Sequence, residues 1–292
     1  MSFNRLLAAV ISRICVWLPD DIYLKTRYRL IMKSKLHIDN PQTFNEKLNW
    51  LKVYHRIPFY TLLVDKSTVK EYLESIIGKE HIIPTLGIWD DFNQINFESL
   101  PEKYVLKSTN GGGGDGIIIC KDKYKLNYYR TRIKLAKSMK SDWRIQREWV
   151  YRDIKPRILA EEYLKSGSDG LNDYKFFCFN GMVQLFKVDF DRFVGHRANY
   201  YDRNLNLLSF GEKLCPPNFE KKIVFPESIK KMIELAEKIS CNIPFVRVDL
   251  YEVNGNIYFG EMTFFPNSGF GKFTDEGWDY KLGSWLVLPN IQ

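Results

Sequence analysis

The apolar and polar positions divide the chain into stretches of different period. Up to about residue 60 the spacing is helical, broken at Asn40-Pro41, and Thr43 followed by Glu46 reads as a capping box opening a helix. A second helix is predicted from Asp65 to Ile77, closed by Gly78. Pro84 to Pro101 reads as strand and loop. The period then shortens: Tyr104 to Ser108 is a short buried strand, Asn110 to Gly116 a glycine-rich loop and Ile117 to Cys120 a strand. A basic helix near Tyr128 to Lys140 and a strand from Ile158 to Leu164 follow.

The last third predicts two hairpins. Tyr174 to Phe179 and Met182 to Asp189 flank Asn180-Gly181, a dipeptide suited to a tight two-residue turn. Phe245 to Glu252 and Asn256 to Phe264 flank a turn ending in Gly255, with a helix at Pro226 to Ser240 between the hairpins. There is no internal repeat, low-complexity run or flexible linker. Helices with largely antiparallel strands in two lobes make an α+β pattern rather than a doubly wound sheet.

In the second hairpin the turn decides which side chains meet. A two-residue Asn254-Gly255 loop would pair Val253 with Asn256 and send Asp249 and Glu261 to opposite faces. A three-residue Val253-Asn254-Gly255 loop, with Gly255 in the bulge position, pairs Glu252 with Asn256. Arg247, Asp249 and Glu261 then share a face, Glu261 opposite Arg247 and diagonal to Asp249. The other face would carry Val246, Val248, Leu250, Met262 and Phe264, an apolar set, so the bulged turn is the expected one.

Composition adds limits. At 292 residues, with 45% hydrophobic and 27% charged residues, the chain suits one folded bilobal protein. A net charge of +8 favours anionic partners or simply maintains solubility. The cysteines at 15, 120, 178, 215 and 241 form no close pairs and no zinc spacing, as expected of a reducing cytoplasm. The four dispersed histidines exclude an HExxH metal site. Leu6 to Leu18 is apolar but carries Arg13 and is too short to span a bilayer. Packing on the protein body is expected of it, with peripheral contact to an anionic membrane as the alternative.

Lys107-Ser108-Thr109-Asn110-Gly111-Gly112-Gly113-Gly114-Asp115-Gly116 is the loudest local signal. Consecutive glycines cost backbone entropy, yet they let amides approach phosphate oxygens closely. No Gly-Lys-Ser/Thr follows, so this is not a Walker A loop, and Ile117-Ile118-Ile119 reads as strand rather than a Rossmann helix. A glycine loop between two strands, with a lysine on the first, suggests a flap over a nucleotide triphosphate. Alone it has a plain alternative, a flexible surface hairpin. The carboxylates of the second hairpin have their own plain alternative, a surface salt bridge. Together with Arg247 they suit magnesium and a transferring phosphoryl group.

With both elements in hand the chain resembles the ATP-grasp superfamily, and within it the TupA-like branch of bacterial surface-polysaccharide and teichuronopeptide gene clusters. The resemblance runs from Pro41-Gln42-Thr43-Phe44-Asn45-Glu46-Lys47 to Trp285. It rests on Val105-Leu106-Lys107, Ala160-Glu161-Glu162-Tyr163, Asp173-Tyr174-Lys175-Phe176, Arg247-Val248-Asp249 and Gly260-Glu261-Met262-Thr263. It implies a bilobal ATP-grasp fold of two mostly antiparallel sheets behind a helical N-terminal segment. Residues 1–64 would be that segment, 65–160 the first lobe with its flap, and 161–292 the second lobe with the metal site.

The resemblance also implies roles. ATP would meet Lys107, Gly111, Gly112, Gly113 and Gly114, the hinge Glu161, Glu162 and Tyr163, and Asp173 with Lys175. Asp249 and Glu261 would hold magnesium. Arg247 would stabilise the acyl-phosphate and tetrahedral states, with Lys175 reaching phosphate. Many ATP-grasp ligases carry asparagine where this chain has Thr263, a weaker metal ligand that Asn267 is placed to supplement. The activity implied is ATP-dependent amide formation between a carboxylate and an amine, on a surface polysaccharide or its precursor.

Two weaker signals remain. Asp189-Phe190-Asp191 matches the DxD motif of metal-dependent nucleotide-sugar glycosyltransferases, the alternative enzyme reading. Arg192, His196 and Arg197 follow it and are candidates for an anionic acceptor. The basic run Lys121 to Lys140 reads as a solvated helix face, and no nucleic-acid partner is expected because it lacks a stacking pattern.

Overall fold

The computed structural model describes residues 15–111, 116–165, 172–191 and 195–290. Four helices come first: α1 (Asp20–Met32), α2 (Phe44–Tyr54), α3 (Phe59–Val64) and α4 (Val69–Ile77). α2 opens as expected, with the Thr43 side chain accepting from the Glu46 amide and Glu46 returning to the Thr43 amide. α4 begins four residues later than the apolar pattern suggests, because Asp65 is extended and its carboxylate binds the Ser67 amide and hydroxyl instead.

A four-stranded antiparallel sheet follows, from β1 (Thr85–Trp89), β2 (Tyr104–Ser108), β3 (Ile117–Cys120) and β4 (Ile158–Glu162), in the order β1-β4-β2-β3. One face carries Tyr104, Leu106, Ile158 and Ala160, buried with Leu135 of α5 (Tyr128–Met139). Alternation turns Lys107 and Glu161 to the other face. A short helix, α6 (Trp143–Gln146), precedes β4.

The second sheet has five strands: β5 (Asp173–Phe179), β6 (Met182–Phe190), β7 (Arg197–Asp202), β8 (Phe245–Val253) and β9 (Asn256–Thr263), all antiparallel in the order β7-β6-β5-β8-β9. β7 was not foreseen. Val246, Val248, Leu250, Phe176 and Met262 are buried on the back of this sheet with α7 (Ile229–Ile239), whose Met232, Ile233 and Ala236 complete the core. α2 packs against the other face, Phe44 meeting Phe245 edge-on at 4.8 Å between ring centroids. α2 also packs on α8 (Gly277–Trp285).

Both hairpins turn through Asn-Gly with left-handed backbone, Asn180 at φ 50° and Gly181 at 80°, Asn254 at 53° and Gly255 at 83°. This corrects the expected register of the second hairpin. Val253 pairs with Asn256, so the loop has two residues and Glu252 faces Ile257. The extra residue lies instead within β9, where Leu250 pairs with Phe259 and Asp249 with Glu261, leaving Gly260 over. A Cβ on Gly260 would stand 2.9 Å from the Tyr251 ring and 3.0 Å from the Asp249 carbonyl oxygen, so only glycine fits this bulge without a shift. Asp249 therefore faces Glu261 directly, and Arg247 faces Thr263.

Candidate active site

Cross-strand pairing sets one rung of side chains across the second sheet: Glu261, Asp249, Lys175, Lys187 and Tyr200. Lys175 Nζ lies 2.5 Å from Asp173 Oδ2 and 2.6 Å from Asp249 Oδ2. Arg247 donates to both Asp249 oxygens at 2.6 and 2.7 Å and to the Thr263 hydroxyl at 3.0 Å, and lies 3.4 Å from Glu261 Oε1. Asp249 is buried, whereas the Glu261 side chain keeps 28% exposure at the cleft.

Burial pushes the Asp249 carboxyl up, and Asp173 and Glu261 add to this against the pull of Arg247 and Lys175. Burial would raise Glu261 as well, but Lys66, Arg247, Lys175 and Lys107 outweigh it and bring the carboxyl down to about 2. Lys175 is held above its ordinary value: burial would lower it, and Asp173 and Asp249 prevail.

Three further lysines stand near these carboxylates. Lys107 Nζ is 2.5 Å from Glu161 Oε2, and Lys70 Nζ is 2.6 Å from Glu161 Oε1. Lys66 Nζ is 3.5 Å from Glu261 Oε2 and also donates to the Gly111 carbonyl. Burial alone would raise the Glu161 carboxyl, but Lys107 and Lys70 hold it below the usual range. Lys66 and Lys70 escaped the reading of the sequence. Their spacing of four was the available signal, and the turn between α3 and α4 is what aims Lys66 at the cleft.

The other expected residues are distributed unevenly. Gly112, Gly113 and Gly114 lie outside the described residues, as does Arg192. Gly111 sits at the base of the loop, where a Cβ would come within 2.3 Å of Ser108 Oγ and 2.6 Å of Ser138 Oγ, so its small size serves packing. Glu162 is exposed on the face opposite Glu161, and half-buried Tyr163 follows the end of β4. Asn267 is exposed in a run of left-handed backbone, with Asn267 at φ 49°, Ser268 at 54° and Gly269 at 66°.

That run costs about 1–2 kcal/mol for each of its two non-glycine residues, and a buried polar stripe on α2 holds it. Asn45 donates to the Gly271 carbonyl, Asn49 to the Gly269 carbonyl and Lys52 to the Ser268 carbonyl, at 2.8, 2.8 and 2.7 Å.

The two aspartates of the DxD motif sit in different surroundings. Asp189 is buried beside Lys187 at 3.6 Å and His196 at 3.2 Å. Lys187 itself lies 3.3 Å from Glu212. Asp189, His196 and Cys215 bring donor atoms within 4.8 Å of one another, but the Lys187 ammonium already supplies positive charge there. Asp191 departs from the strand at φ 53°. Arg197 is exposed at the start of β7.

A family model described as TupA-like ATPgrasp matches residues 46–287. The chain belongs to the TupA-like ATP-grasp family, and through it to the ATP-grasp superfamily. Among solved structures it is similar to D-alanine–D-alanine ligase from Helicobacter pylori, at 15% identity and TM-score 0.47 over 85% of this chain and 68% of that one. It is also similar to the Bacillus anthracis D-alanine–D-alanine ligase complexed with ATP, at 16% identity and TM-score 0.38 over 69% of this chain. The match spans about half of the Bacillus anthracis chain, 53%. No curated protein matches. Among the described residues no helix is long and apolar enough to cross a membrane.

Proposed function

We propose that the protein is an ATP-dependent carboxylate–amine ligase that works through an acyl phosphate. One observation carries this reading: Lys66, Lys70 and Lys107 of the first lobe converge with Arg247 and Lys175 on the carboxylates Glu161, Glu261 and Asp249. A carboxylate oxygen of the acceptor attacks the γ-phosphorus of ATP, the bond to the bridging oxygen breaks, and ADP leaves. An amine then attacks the acyl carbon, phosphate departs, and the nitrogen gives up a proton as the amide forms.

In this reaction Lys66, Lys70 and Lys107 hold phosphate oxygens, and Gly111 to Gly114 are assigned to the same phosphates. Glu161, Glu162 and Tyr163 border the adenosine, and Asp173 fixes Lys175. Arg247 meets the developing oxyanion. Positioning and charge do the chemistry, and no covalent nucleophile is required.

The residues fit magnesium. Asp249 and Glu261 are hard oxygen donors opposed across two strands, Thr263 adds a hydroxyl, and Arg247 and Lys175, which hold Asp249 here, would share it with the ion. These residues, with Asn267, would hold the ion, whose charge when bound shields the phosphates.

We assign the substrates to an amino acid or glutamate chain and a uronic acid of a bacterial surface polysaccharide or its precursor, at the inner face of the cell envelope in the cytoplasm. Residues 1–64, 65–160 and 161–292 are the proposed helical segment, first lobe and second lobe. Calorimetric titration of ATP with magnesium tests the core of this reading. Binding that weakens in Lys107→Met and in Glu261→Gln, followed by phosphate release with carboxylate–amine pairs, supports it. Binding of a nucleotide sugar without binding of ATP would overturn it.

A further inference from the structure

The segment from Lys121 to Lys140 holds eight lysines and arginines against Asp122 alone, in a chain whose total charge is +8. Most of the protein's excess charge thus falls on one short stretch. α5 contains no acidic residue. Its buried side, Thr131, Leu135 and Ser138, faces the first sheet, leaving Arg130, Arg132, Lys137 and the following Lys140 exposed. Among the described residues the ion pair formed by this stretch joins Lys125 to Asp122. Lys123 and Lys134 instead cap backbone carbonyls at Leu100 and Ile117, so they fix the segment to the sheet.

Between these cations stand large apolar side chains: Tyr124 at 80% exposure, Tyr129 at 74%, Ile133 at 50% and Tyr128 at 44%. Tyr129 and Ile133 are four apart on one helical stripe. A dissolved polyanion would use the cations alone. An anionic bilayer surface uses both, since tyrosine rings and an isoleucine enter the headgroup region while lysine and arginine meet lipid phosphates. We propose that this outer face of α5 docks on an anionic phospholipid bilayer. Because α5 covers the face of the first sheet opposite Lys107 and Glu161, docking leaves the lysine cleft open to solvent.

The test is flotation of the full-length protein with phosphatidylcholine vesicles, with and without phosphatidylglycerol. Wild type is compared with Arg130→Gln/Arg132→Gln/Lys137→Gln and with Tyr129→Ser/Ile133→Ser. All three proteins keep the same N-terminus, so a difference between them reports on α5. Each lost cation should weaken partition about fivefold, and the second variant should weaken it further than salt alone does. Circular dichroism and ATP titration should be unchanged, because these side chains are exposed. Three outcomes overturn the proposal: no binding of wild type to anionic vesicles, equal binding by the variants, or retention on a soluble polyanion that the Tyr129/Ile133 variant keeps in full while vesicle binding is absent.

Discussion

Asp249 and Glu261 stand directly opposite each other on neighbouring strands, and the bulge at Gly260 is what brings them there. A regular ladder from the same two-residue turn would have put the carboxylates on opposite faces. Gly260→Ala must move either the Tyr251 ring or the Asp249 backbone. We expect a loss of about 1–3 kcal/mol in stability, with magnesium-dependent ATP binding reduced more than metal-free binding. Urea denaturation and paired titrations measure the two effects. Unaltered magnesium dependence would separate the bulge from the carboxylates proposed to hold the ion.

Glu161 is shared by Lys70 and Lys107, each within 2.6 Å. Lys70→Met removes one ammonium from the expected phosphate site. A charge-assisted hydrogen bond worth about 1.5–3 kcal/mol predicts ATP binding weaker by about 10- to 100-fold. Calorimetry reads this directly. Wild-type affinity in the variant would mean that Lys70 serves only to hold Glu161.

The stability contributed by Glu261 has a defined pH window. Its carboxyl lies at about 2 in the folded protein against an ordinary 4.5, so the folded state favours the ionised form. That contribution is complete above pH 4.5 and is lost as pH falls towards about 2. The stability gap between wild type and Glu261→Gln should therefore shrink on acidification through this window. Urea midpoints across the range check it, and a gap independent of pH would contradict the charge pairing.

Lys52 is buried, with its ammonium on the Gln146 and Ser268 carbonyls and over the Phe265 and Phe270 rings. Burial pushes it down to about 7, partly offset by Glu148. Lys52→Met keeps the stem but strips two carbonyls of their donor and leaves Arg27 as the cation acting on buried Glu148. A loss of about 3–5 kcal/mol is expected. Asn49→Leu, which removes one buried donor, should cost about 1–3 kcal/mol. Chemical denaturation distinguishes them. Equal small losses would show that the left-handed turn at Asn267 does not depend on α2.

Lys175 bridges Asp173 and Asp249. Lys175→Met should destabilise by about 3–5 kcal/mol because two buried carboxylates lose their common cation, and Lys175→Met/Asp173→Asn should recover part of it. A double-mutant cycle measures the recovery, and strict additivity would deny the coupling.

Local pattern alone determined a good deal of this protein. Thr43 and Glu46 cap a helix, Asn180-Gly181 closes a hairpin, and alternating residues in Phe245 to Leu250 define an apolar face, because each depends on contacts a few residues apart. Lys107, beside a glycine loop, and Arg247, Asp249 and Glu261, on an otherwise apolar hairpin, were likewise singled out from the sequence, and Lys175 through the resemblance. Tertiary structure decided what those residues touch. The bulge moved from the turn to Gly260 because strand register answers to packing along the whole ladder, and Asn-Gly accepts the tighter turn readily. Lys66 and Lys70 entered the site because charges distant in sequence meet only when the two sheets and their helices assemble.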